Sequence, residues 1–327
     1  MKPTDDLQAK IDAAPYGATL SLAKGTYFLS SGLSVTRPVL LTSAEGLDTV
    51  FIEPADSAVQ IRLLTISNDF ANVSGLTFRN ATGGAVTVRG GTLENCRVTD
   101  TDFSSCASLP NGVGVYARRG YVNRCRFDNL KDINNNRDMK VIYLLSDIPT
   151  STSPNAGNYA LIDNSLVTGC MAKNGSTWKG TLIYGNRGGV SHAGVIRNST
   201  FADNTFATAF WCISQGCYVR NSIFSNTGAF SSGMSDANNL ANILNNCIVG
   251  NDVGTNCITG DPCLKAGFRL KSSSPCIGQA LVNEYSEGLL DLAGNPRVRA
   301  AGGTAAGVQD IGCYQWQMPD GMTIVIR

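Results

Sequence analysis

The chain has 327 residues, enough for two ordinary domains or one elongated one. Only 16% of it is charged, against 43% hydrophobic residues and 35 glycines, which excludes disorder and a helical bundle rich in Glu, Lys, Leu and Ala. A net charge of +1 without a Lys/Arg run argues against a nucleic-acid partner, and no apolar stretch approaches the ~20 residues of a membrane span.

In chain order, the opening MKPTDDLQAK lacks the form of a signal peptide. Asp5–Ala14 reads as a short amphipathic helix with Leu7 and Ile11 on one face, capped by Thr4 or Asp5. Gly17–Leu29 reads as strands around a glycine turn.

A repeat follows. Seven octets share one form: apolar, any, Asn, small, any, aromatic or aliphatic, any, polar. They are Val73–Asn80, Leu93–Asp100, Val122–Asn129, Ile162–Gly169, Ile196–Asp203, Val219–Asn226 and Leu244–Asn251. Their starts are separated by 20, 29, 40, 34, 23 and 25 residues, so the octet is kept while the insert varies. Helical solenoids keep a nearly fixed period, whereas a β coil with loops on one side tolerates this variation.

Each octet reads as strand, corner, strand, with Leu93, Cys96 and Val98 inward in the second copy. Asn95, Asn164, Asn198, Asn221 and Asn246 take the corner, because Asn tolerates the left-handed backbone and bonds to neighbouring backbone. Gly75 and Arg124 interrupt this ladder. The next position (Leu76, Cys96, Cys125, Ser165, Ser199, Ser222, Cys247) forms an inward column where free cysteine acts as a small hydrophobe. Short apolar strands precede most octets: Ala85–Arg89, Val113–Arg118, Val141–Leu145, Thr181–Tyr184 and Ala209–Ile213. The expected fold is an all-β, right-handed parallel β-helix of three strands per coil, a single domain over 1–327. Residues 1–30 would form the N-terminal cap and first coil, 31–256 the coils, and 257–327 a loop-rich C-terminal cap.

The 11 cysteines include no CxxC pair, so no zinc ribbon is expected. In the C-terminal cap, Cys276 with Cys313 and Cys257 with Cys263 are candidate neighbours, their pairing left open. Asp291, Arg297 and Asp310 would hold a folded-back loop by charge-assisted hydrogen bonds, and Gly321–Arg327 would add one more strand.

The start IDAAPYGATLSLAKGTY and the Asn-x-x-Phe coils resemble the pectin-lyase-like right-handed parallel β-helix superfamily. Asp261-Pro262, Phe268-Arg269-Leu270, Ser274-Pro275-Cys276-Ile277, Asp291–Arg297 and Asp310-Ile311-Gly312-Cys313-Tyr314 are similar to the ending of bacterial choice-of-anchor Q surface proteins. Gln315 stands where that ending has an acid. The resemblances imply a secreted or cell-surface protein whose partner is a polysaccharide, with catalysis open. A polysaccharide lyase or glycoside hydrolase and a structural surface spacer are the alternatives.

A lyase must neutralise a uronate carboxylate, abstract the neighbouring proton and protonate the leaving oxygen. The candidates are Arg89, Arg118 and Tyr116 on neighbouring strands, then Lys131, Asp132, Arg137, Asp138 and Lys140 in the next loop, all expected on one stripe. Lys140 or Arg118 would serve as base, and Arg89 or Arg137 would clamp the carboxylate. A solvated, charge-balanced face is the competing reading. The run Asp132-x-Asn134-x-Asn136-x-Asp138 offers oxygens to Ca²⁺ but lacks the EF-hand Gly and Glu, having Arg137 and Tyr143 there, so no metal site is assigned. His192, the single histidine, has no evident catalytic partner, and the motifs of polygalacturonases and pectate lyases are absent. Trp178, Tyr184, Phe210 and Trp211 could stack on sugar rings, about half of them being core by alternation.

Overall fold

The computed structural model describes residues 1–133, 137–145, 159–186, 194–213, 217–227, 229–230, 244–249, 254–282, 289–298 and 307–317. Asn134, Asn136, His192 and the expected strand Gly321–Arg327 lie outside these residues. The described chain is a parallel β-helix. Three long sheets, of nine, ten and eight strands, run the length of the stack, and within each of them every pairing is parallel. Among the described residues no helix is long and apolar enough to cross a membrane.

The octets account for two of these sheets. Their first residues, Val73, Leu93, Val122, Ile162, Ile196, Val219 and Leu244, form an inward column in the first sheet that Leu41 also joins, all fully buried. Their sixth residues form the matching column of the second sheet, where Phe201 and Phe224 stack with ring centroids 4.8 Å apart. The third sheet contributes Leu64, Val86, Val115, Ile142, Ile183 and Phe210. Apolar side chains from all three sheets thus fill one continuous core.

The corner is the left-handed one expected. Asn95, Asn164, Asn198, Asn221 and Asn246 have φ of 47° to 54°, Arg124 has 52° and Gly75 has 71°. Asn246 Nδ2 donates to Asn221 Oδ1 and Asn221 Nδ2 to Asn198 Oδ1, at 2.9 and 3.3 Å. In the adjacent inward column, the Ser165, Ser199 and Ser222 hydroxyls each donate to the carbonyl two residues back. Each also accepts the amide of the preceding coil at 3.2 Å. Buried hydroxyls are thereby satisfied on both sides.

A second left-handed corner closes the octet. Asn80, Asp100, Asn129, Gly169, Asp203 and Asn226 have φ of 48° to 62°. An eighth copy also exists: Asn256 (φ 52°) precedes Cys257, and Ile258–Thr259 adds the last strand of the second sheet. It begins at Gly254, where a Cβ would lie 2.7 Å from both Cys257 Sγ and Leu244 Cβ. The apolar residue of the motif therefore does not fit there.

Two expectations are corrected. The helix spans Leu7–Ala13 with Leu7 and Ile11 buried, but Asp6 caps it, its carboxylate accepting the Ala9 amide at 3.0 Å. The middle coils also carry a fourth, short strand: Thr101–Asp102, Leu130–Ile133 and Met171–Asn174 pair in parallel, and Thr177–Trp178 turns back antiparallel.

At the C-terminus the chain folds back over the Asn corner. Gln309 Nε2 donates to Asn198 Oδ1, the Leu281 amide to Asn221 Oδ1 and the Cys313 amide to Thr200 Oγ1. This strap is held by the expected charged residues, all fully buried. Arg297 donates to the carbonyls of Gly312 and Asp310, each at 2.7 Å. Asp291 accepts the amides of Ala293, Asn295 and Gln315, and Asp310 those of Gly278 and Trp316. Gln315, where an acid was the expected residue, accepts the Asp310 amide through Oε1. All ten described cysteines are free thiols. Cys257 stands in register with Cys247 of the preceding coil, and Cys276 and Cys313 belong to different apolar clusters.

Candidate functional site

The outer face of the third sheet gathers most of the sequence-selected residues. Register aligns Thr65, Thr87, Tyr116, Tyr143, Tyr184 and Trp211 in one outward column. Tyr143 and Tyr184 are stacked, centroids 4.9 Å apart and planes at 28°. Tyr116 meets Tyr143 at 77°, and Trp211 meets Tyr184 at 80°, each at 5.4 Å. The column therefore has a stacked centre and a ring turned out of the stack at either end. At the usual ~4.8 Å between neighbouring strands, four coils span ~14 Å. Tyr143 is only 7% exposed, while Tyr116, Tyr184 and Trp211 are half-buried. Phe210 is core, as alternation requires.

Charges flank the column on both sides. Where the strands begin, the Lys140 ammonium lies over the Tyr184 ring, 5.1 Å from its centroid. It is paired with Asp138 at 2.7 Å, and Asp138 Oδ1 accepts the Thr181 hydroxyl. Where the strands end, Arg89 is exposed and Arg118 half-exposed. Burial pushes the Tyr116 phenol above its ordinary range, and nearby Arg118 and Arg89 pull the other way. Arg62 lies on the opposite edge, two residues ahead of the strand Leu64–Ile66. Its guanidinium donates to the carbonyls of Val86, Asn111 and Gly112, and burial lowers its pKa to about 10.

The single stripe is split. Lys131 and Asp132 belong to the short fourth sheet, and Asp132 is 1% exposed. Arg137 bonds to Asp132 Oδ1 at 2.8 Å and to the carbonyls of Phe103 and Cys106. Its donors thus tie the loop down and are not directed at the third sheet. The same pair bears on Ca²⁺: Asp132 would have to exchange Arg137 for the ion, and no group of three metal-ligating residues occurs among the described residues. Trp178 is 46% exposed on the antiparallel hairpin, away from the aromatic column.

Tyr143 was missed as a column member. Its signal was present, since aligning the third-sheet strands on their inward pairs brings it between Tyr116 and Tyr184. A cavity of about 370 Å³ also lies between the second corner and the C-terminal cap, lined by Asp203, Asn226, Asp261, Lys265 and Phe268 among others.

No protein-family model matches the chain, and no curated protein matches it. Among solved structures, it is similar to the pectate lyase Pel9A at 12% identity and a TM-score of 0.44, over 97% of this chain and 96% of that one. An alginate lyase from Paenibacillus sp. str. FPU-7 aligns at 15% identity and a TM-score of 0.44, covering 80% and 90% of the two chains. A PL6 alginate lyase solved with a trisaccharide aligns at 14% and 0.41, covering 74% and 60%. At these values the fold assignment rests on the strand order and register above.

Proposed function

We propose that the outer face of the third sheet binds a glycan and that the protein is a secreted or cell-surface β-helix recognising an acidic polysaccharide. The observation that carries this reading is the registered column Tyr116–Tyr143–Tyr184–Trp211 with cations at its edges. Aromatic rings give apolar contact area at little conformational cost, and their hydroxyl or indole N–H can bond to sugar oxygens. Arg89 and Arg118 supply positive charge where an acidic group of the ligand would lie. The resemblance of the C-terminal strap to surface-protein endings supports an exported location.

Eliminative cleavage on the same face is the second reading. It needs a base, and neither expected one is poised for that: the Lys140 ammonium is held by Asp138, and the Arg118 guanidinium is a donor with no acceptor site. Binding without cleavage is therefore the reading adopted.

The test is affinity electrophoresis through gels of acidic and neutral polysaccharides, with ultraviolet absorbance of unsaturated uronates followed in parallel. Retardation by an acidic polysaccharide is expected, reduced about tenfold or more in affinity in Tyr184→Ala and Trp211→Ala, as truncation of stacked aromatic anchors usually does. New absorbance would move the conclusion to a lyase. No retardation by any polysaccharide would leave the structural spacer.

A further inference from the structure

We infer that Cys247 and Cys257 form a redox couple whose disulfide staples the last coil of the helix. The two cysteines follow successive left-handed corners, Asn246 (φ 54°) and Asn256 (φ 52°). Ile248 pairs with Ile258 in parallel, and the Ile258 amide donates to the Cys247 carbonyl at 2.7 Å. The cysteines therefore sit one above the other in adjacent coils. Neighbouring strands are spaced ~4.8 Å apart, within the ~4.4–6.8 Å between Cα atoms that a disulfide spans. The two side chains share one orientation, each thiol donating to the carbonyl two residues back and to one in the preceding coil: Cys247 to Asn245 and Val219, Cys257 to Thr255 and Leu244.

The couple has the asymmetry that exchange chemistry requires. Cys247 is fully buried, whereas Cys257 is half-exposed. The neighbouring Cys247 side chain lowers the Cys257 thiol to about 7, against burial, which raises it. The other inward cysteines with resolved shifts go the opposite way: burial raises Cys96 and Cys170 to about 12. Cys96 and Cys125 also stand in adjacent coils, but both are fully buried and present no thiol to solvent.

The oxidant is a small-molecule disulfide such as oxidised glutathione. The Cys257 thiolate attacks it, forming a mixed disulfide and expelling one thiolate. The Cys247 thiol passes its proton to a departing thiolate, and its sulfur then attacks the Cys257 sulfur, breaking the mixed bond and releasing the second thiol. Two cysteine thiols are oxidised and one disulfide is reduced to two thiols. The protein bond would reinforce a coil that is paired to its neighbour only at Thr255 and through Ile258 and Thr259, among the described residues, at the open end of the second sheet.

The experiment incubates the native full chain with oxidised glutathione, blocks free thiols, and maps peptides by mass spectrometry with and without reduction. A Cys247–Cys257 cross-link is expected, and in the reduced protein Cys257 is alkylated on the order of tenfold faster than the buried cysteines. Cys257→Ser abolishes the cross-link, and oxidation raises the thermal midpoint of the wild type but not of this variant. A stable glutathione adduct on Cys257 without the cross-link, or oxidation confined to other cysteines, overturns the inference.

Discussion

Asn221 shows what one residue does in this fold. Its backbone is left-handed at φ 51°, and its amide donates to Asn198 Oδ1 and the Leu281 carbonyl while accepting from Asn246 Nδ2 and the Leu281 amide. Asn95 has the same backbone (φ 47°) but makes none of these contacts. Asn221→Ala should therefore cost about 3 kcal/mol or more, from ~1–2 kcal/mol of left-handed strain and ~1 kcal/mol for each net hydrogen bond lost. Glycine removes the strain, so Asn95→Gly should stay within about 1 kcal/mol of wild type, whereas Asn221→Gly still loses its side-chain bonds. Urea denaturation of the three variants measures this, and equal losses in both glycine variants would show that the side-chain ladder adds nothing. The corner was legible because a positive φ restricts residue type. The second corner obeys the same restriction with a mixture of Asn, Asp and Gly, and in the octet it read only as a polar position. The copy at Gly254 was hidden because the close approach of Leu244 and Cys257 removed the motif's apolar residue.

Among the elements, the C-terminal strap repeats this logic with charge. Arg297 is the largest fully buried side chain among the described residues, and its guanidinium meets two carbonyls, with no salt bridge to either strap aspartate. Burial lowers its pKa, and neighbouring Asp163, Asp291 and Asp310 act in the opposite sense. Arg297→Met keeps much of the apolar stem but leaves the carbonyls of Asp310 and Gly312 without their donors. We expect a loss of ~3–5 kcal/mol, from ~1.5–3 kcal/mol for each of the two hydrogen bonds with a charged donor. Because the strap lies over the Asn corner, the damage should appear first as proteolytic cleavage within it, before the coils unfold. Simultaneous loss of strap and coils would show that the two melt as one unit. The three charged residues of the strap were found from turn chemistry alone. Their partners were not, because which carbonyls Arg297 meets depends on where the strap lands on the stack. The same holds for Asp132 and Arg137: their spacing suggested an outward stripe, and only the loop's return over Phe103 and Cys106 turns them inward.

Across the molecule, the distribution of charge distinguishes one face from the others. Glu53, Glu94, Asp128 and Asp163, all in strands of the first two sheets, are matched by Arg79, Arg124, Arg97 and Arg197. On the third sheet, Arg62, ahead of the strands, meets only carbonyls, and Arg89, beyond their ends, stands exposed without an ion pair among the described residues. A net charge of +1 conceals this local excess, because it counts residues and not their placement. If this face receives an acidic polysaccharide, part of the attraction is between exposed charges and must be screened by salt. Raising salt from ~0.1 M to ~1 M shortens the screening length from ~10 Å to ~3 Å. Binding to an acidic polysaccharide should then weaken several-fold, and Arg89→Ala should weaken it at low salt while losing most of the salt dependence. Trp211→Ala should lower affinity at every salt concentration and leave the salt dependence intact, since stacking is not screened. Titration of the three proteins at both salt concentrations separates the contributions. Salt-insensitive binding that Arg89→Ala leaves unchanged would assign recognition to the aromatic column alone and a neutral glycan as its ligand.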